Sequence, residues 1–131
     1  MTIELFALAE YVSNHNGRLT IIDTFDAIVA EKFPWRAYFG IAVKIGLSPE
    51  ESSKDSLRMR ILADDGIVIF DAATKLNLPD KEKAGKLVIA SNVKGLIFPR
   101  SGNYSLEISS DSELIGRFLF EVKNHIERTM I

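Results

Sequence analysis

Gly95-Leu-Ile-Phe-Pro-Arg-Ser-Gly-Asn-Tyr104-Ser-Leu-Glu-Ile-Ser-Ser-Asp-Ser-Glu-Leu-Ile-Gly-Arg-Phe-Leu-Phe-Glu-Val122 contains two runs of strict alternation and the turn that joins them. Tyr104, Leu106 and Ile108 fall on one side, and Asn103, Ser105, Glu107 and Ser109 on the other. Past the polar turn Ser109-Ser-Asp-Ser112, Gly116, Phe118, Phe120 and Val122 repeat the pattern against Arg117 and Glu121. A side-chain period of two with one apolar face is the signature of a half-buried antiparallel strand. The stretch therefore predicts a hairpin and, with it, an all-β fold.

The same period recurs upstream. Leu87, Ile89, Ser91 and Val93 alternate, as do Leu57, Met59, Ile61 and Ala63 against Arg58 and Arg60. From Ala37 to Ser48, Phe39, Ile41, Val43, Ile45 and Leu47 are read as inward, and Tyr38, Gly40, Ala42, Lys44 and Gly46 as outward. Asn16-Gly17 and Asp65-Gly66 are hairpin turns, because Asn, Asp and Gly accept the positive φ that tight turns demand. Ile67 to Phe70 returns from the second turn, towards Lys75. Ile3 to Val12 and the returning strand Arg18 to Ala30 are apolar on both faces, with a bulge or bend between Asp23 and Asp26. Pro34 and Pro79 interrupt pairing, since proline lacks the donor. Ser48 and Pro49 open a polar loop with room for one helical turn.

Such spacing of short runs predicts about eight strands in a two-sheet β-sandwich. The 131 residues fit one domain spanning 1–131. Its tail, 123–131, is read as a short helix or a frayed end, since Ile126 and Met130 have helical spacing.

Two short patterns resemble known folds. Phe98-Pro99, Gly102, Tyr104, Leu106 and Ile108 resemble the corner of immunoglobulin-like sandwiches, which implies that the tyrosine hydroxyl bonds back to upstream backbone. Leu106 stands where an antibody domain carries cysteine, so the disulfide version is excluded. Ile3-Glu-Leu5, Asn16-Gly-Arg-Leu-Thr-Ile21, Phe25-Asp26 and Phe33-Pro34 resemble a family of small uncharacterised bacterial sandwich proteins. That family is one of unknown function, so the resemblance implies no site residues.

Composition narrows the function classes. A net charge of −2 lacks the basic stripe of a nucleic-acid binder. Zero cysteines exclude a thiol nucleophile and cysteine-based zinc sites, and fit a cytoplasmic protein. Glu4 and Glu10 break the first apolar run, arguing against a signal peptide, and no uncharged stretch approaches the roughly 20 residues of a membrane span. The two histidines, His15 in a turn and His125 in the tail, belong to no spaced ligand set. No Gly-x-Ser-x-Gly nucleophile elbow occurs, nor a glycine-rich phosphate turn before a helix. The expectation is a non-enzymatic protein without cofactor.

Three candidate sites remain. Phe33, Trp35, Arg36 and Tyr38 form an amphipathic aromatic patch of the kind enriched at protein interfaces. Asp23 and Asp26 form a polar pair, Asp23 on an otherwise apolar face. Together with the turn acids Asp64, Asp65, Asp111 and Glu113 they raise the question of a Ca²⁺ site in the loops. Arg58, Arg60 and Lys44 are read as one solvated face. The leading expectation is a binding or assembly module with a protein partner, or a homodimer through the two-sided first strands. A metal- or carbohydrate-binding module, built on the loop carboxylates and on Trp35 or Tyr38, is the alternative.

Overall fold

A computed structural model of the protein describes residues 1–48, 56–75 and 85–125. Every regular element in it is a strand: β1 (Thr2–His15), β2 (Arg18–Phe25), β3 (Ala27–Ala30), β4 (Trp35–Leu47), β5 (Ser56–Ala63), β6 (Val68–Lys75), β7 (Gly85–Phe98), β8 (Gly102–Ser110) and β9 (Glu113–Asn124). One sheet has four strands in the order β2-β1-β4-β7, the other five in the order β3-β9-β8-β5-β6. The helical turn after Ser48, the connection before Gly85 and the tail beyond His125 fall outside the described residues. Lys123 and Asn124 belong to β9, so the tail begins later than the sequence suggests.

The core lies between the sheets. Phe39, Ile41, Val43 and Ile45 of β4 meet Leu57 and Ile61 of β5, Tyr104, Leu106 and Ile108 of β8, and Phe120 and Val122 of β9. These are the alternating positions of the sequence, every second side chain of each strand turning towards the opposite sheet. Asn16 and Gly17 close the first hairpin with φ of 53° and 82°, as a two-residue turn requires.

The expected strand Arg18 to Ala30 is two strands in different sheets. β2 ends at Phe25 beside β1, the chain crosses at Asp26, and β3 joins β9 in parallel, Ala27 facing Glu121 and Ala30 facing Asn124. Hence the described residues form nine strands, and one pair among them is parallel in an otherwise antiparallel sandwich. The bend begins at Asp23, whose φ of 57° is left-handed, a region aspartate tolerates better than branched residues.

The corner between β7 and β8 is of the immunoglobulin type. The Tyr104 hydroxyl donates to the Arg100 carbonyl at 2.6 Å, and burial raises the phenol pKa. Tyr104→Phe keeps the ring and removes only this donor. It is expected to cost about 1 kcal/mol, read as a lower urea midpoint at unchanged slope. An unchanged midpoint would deny the hydroxyl a part in stability.

Two sequence expectations are corrected. Gly40 and Ala42, read as outward, do lie away from the main core but are buried. The β1 register with β4 stops at Ala9 opposite Gly40, and the rest of the β1–β2 hairpin lies over the outer face. Val12 N–H donates to Asn92 Oδ1 at 3.1 Å, and Asn92 Nδ2 donates to the Val12 carbonyl at 2.8 Å. A second apolar cluster results: Ala9, Val12 and Ala42, flanked by Ala7, Leu19, Ile21 and Ala90. Much of the second apolar face of the first strands is thus satisfied within the chain. Nor do Arg58, Arg60 and Lys44 share a face, because β5 and β4 lie in different sheets.

Candidate functional site

β4 begins at Trp35, yet its pairing with β1 starts only at Gly40. Among the described residues, Trp35 to Phe39 therefore pair on one side alone, with Phe98 to Val93 of β7. Across from this free edge stands β3, itself an edge strand whose one strand neighbour among the described residues is β9. Since β1 departs after Ala9 and β3 belongs to the other sheet, the sandwich gapes here. The gap is an open groove of about 800 Å³ between residues 24–29 and 35–39, completed by Glu10 and Lys123.

Trp35, Arg36, Tyr38 and Asp26 all line this groove, which brings together three of the four residues of the aromatic patch and one of the polar pair. Tyr38 is 66% exposed, whereas Phe39 is buried beneath. Trp35 is half-buried and packs partly on the main core. The Arg36 guanidinium lies along β7, where a Cβ at Gly95 would come within 3.1 Å of Nη1. Phe33 and Asp23 are not in the groove. Phe33 packs on the core ahead of Pro34, with which it forms a cis peptide, and Asp23 is exposed at the left-handed bend.

Glu10 and Lys123 were missed by sequence reading. Each looks like an ordinary outward charge on its own strand, and only the non-local fold brings β1 and β9 to the same opening. Two acidic residues, Glu10 and Asp26, and two basic ones, Arg36 and Lys123, are among the residues that line it. With both signs present, the groove suits a ligand that is neutral overall or of mixed charge, held against aromatic surface.

The turn acids serve local structure. Arg100 bridges Asp64 at 2.9 Å and Asp65 at 3.0 Å. A hydrogen bond from the Ile67 N–H, then the Arg100 guanidinium, holds the Asp65 carboxyl below its usual range. Asp111 accepts from the Ser56 hydroxyl at 2.7 Å. Because β5 runs from Ser56 beside one turn to Ala63 beside the other, these acids sit at opposite ends of the sheet. Among the described residues no three His, Asp or Glu side chains converge as metal ligands. His15 and His125 are exposed, at the ends of strands in different sheets. No helix of the described residues is long and apolar enough to cross a membrane.

A model of the "Family of unknown function (DUF6941)" matches residues 4–123. No curated protein matches. Among solved structures, the alkylpurine DNA glycosylase AlkC of Pseudomonas fluorescens, bound to DNA containing an abasic site analogue, gives a TM-score of 0.48 at 12% identity, covering 90% of this chain and 30% of its own. An immunoglobulin-like protein from Pseudomonas aeruginosa gives 0.43 at 14% identity, covering 93% of this chain and 95% of its own. At these scores neither lends a residue or an activity to the groove.

Proposed function

We propose that this chain, which belongs to the family of unknown function DUF6941, is a non-enzymatic recognition module for an extended segment of a partner protein. The observation that carries the reading is the free edge of β4 from Trp35 to Phe39, opening on a groove lined by Trp35, Arg36 and Tyr38. A free edge offers main-chain donors and acceptors to an added strand, and the flanking side chains read its alternate residues. Five residues of strand run about 16 Å, enough to hold a short peptide. Tyrosine and tryptophan supply large contact area at small entropic cost.

Trp35 is the sole tryptophan, so its fluorescence reports on the groove alone. Peptides selected from a displayed library on the immobilised protein should change Trp35 emission on titration. Tyr38→Ala, at a mostly exposed position, should weaken them about tenfold, or about 1.4 kcal/mol, without lowering the melting temperature. Failure to select any peptide, or binding indifferent to Tyr38→Ala, would overturn the reading. A simple sugar that quenched Trp35 where no peptide did would put a carbohydrate module in its place.

A further inference from the structure

The outer face of the five-stranded sheet carries a pattern that fits its own copy. Following the register across β6, β5, β8 and β9, Asp71 faces Arg60, Arg60 faces Glu107, and Glu107 faces Arg117. The row reads minus, plus, minus, plus. A two-fold axis parallel to the strands, between β5 and β8, reverses the row while keeping each residue at its own level. Asp71 then meets a second Arg117, and Arg60 a second Glu107.

The rows on either side obey the same symmetry. Above lie Val68, Leu62, Ser105 and Leu119, so reversal sets Val68 on Leu119 and Leu62 on Ser105. Below lie Ala73, Arg58, Ser109 and Leu114, which sets Ala73 on Leu114 and Arg58 on Ser109. Leu119 is 73% exposed and Leu114 55%, Ser105 between the central strands is buried, and among the described residues no strand pair lies over this face as the β1–β2 hairpin lies over the other sheet. A concavity of about 490 Å³, lined by Arg58, Arg60, Ala73, Glu107, Ser109 and Leu114, gives the opposing leucine a seat.

We propose that a second copy of this chain docks here, as an isologous dimer through the β6-β5-β8-β9 face. Charge complementarity sets the register, since sliding by one strand would place like charges opposite each other. At each end of the flanking rows an apolar pair, Val68 on Leu119 and Ala73 on Leu114, lies beside the central charges and limits their exposure to salt. Aligned sheet packing, with strand directions within about 30°, is the ordinary geometry for two such faces. The interface is separate from the groove of β3 and β4 and does not depend on what that groove binds.

The test is solution mass by light scattering on the whole chain, as a function of concentration. The wild type should show twice the monomer mass. Arg117→Glu, at an exposed position, sets a carboxylate against the second Asp71 and should give monomer. Asp71→Arg should do the same, and it also removes the pair that Asp71 makes with Arg58. Combining the two restores opposite charges, so Asp71→Arg with Arg117→Glu should return the dimer mass. A wild type that is monomeric at every concentration overturns the proposal. A dimer unaffected by Arg117→Glu, or a double variant that stays monomeric, overturns it too.

Discussion

Replacing Phe98 by alanine is expected to cost about 3–5 kcal/mol of stability. The side chain is wholly buried, at 0% exposure. It lies where the sheets are stitched together, with ring centroids 6.3 Å from Phe39 of β4, 5.0 Å from Tyr104 of β8 and 6.1 Å from Phe120 of β9. The last two contacts are edge-on, the arrangement that the aromatic quadrupole favours. The backbone around it has little freedom to fill the space. Phe98 is paired to Trp35, and two residues later the Arg100 carbonyl is held by Tyr104. A cavity that cannot collapse brings its full penalty, and proteins of this size have only about 5–15 kcal/mol in hand. The midpoint of urea unfolding should fall sharply. Phe98→Leu, which retains much of the volume, should lose about half as much or less. A loss below about 1 kcal/mol for Phe98→Ala would mean that the aromatic cluster does not join the sheets.

What the sequence disclosed, and what it withheld, follows from the reach of a period-two pattern. Alternation decides which residues share a side of a strand, so the inward sets of β4, β5 and β8 could be read directly. Turn chemistry decided the Asn16-Gly17 reversal, and Gly102 with Tyr104 marked the corner. Alternation does not say which sheet a strand joins. Arg58 and Arg60 are therefore in the sheet opposite Lys44 despite their similar patterns, and the crossing at Asp26 is visible only as an awkward polar residue. Nor does it say what covers an outer face. Gly40 and Ala42 read as outward, but their smallness is what lets the hairpin come down on them. The groove was half legible: Trp35, Arg36, Tyr38 and Asp26 stand out by residue type, whereas Glu10 and Lys123 matter only through where β1 and β9 end up. The self-complementary charge row needed the strand order as well as the register, and no local pattern encodes strand order.

The packing of the hairpin on Gly40 yields the second large effect. A Cβ built there would stand 2.8 and 2.9 Å from the two Val12 methyls and 2.9 Å from Asn92 Oδ1. Neighbours this close must move, yet Val12 is tethered to Asn92 by two hydrogen bonds through its own backbone. Gly40→Ala is therefore expected to cost about 1–3 kcal/mol through overpacking. Val12→Ala, which empties part of the second cluster, should cost about 2 kcal/mol through the cavity it leaves. Combined, the two should cost less than their sum, because the methyl added at residue 40 occupies space that Val12 has vacated. Residues in direct contact show coupling of about 0.5–3 kcal/mol, and here its sign is compensating. Urea unfolding of the four proteins of this cycle measures it, and amide exchange in β2 should quicken in Gly40→Ala and recover in the double variant. The interpretation turns on the coupling rather than on either single loss. Additive losses would show that the Val12 side chain does not rest on Gly40.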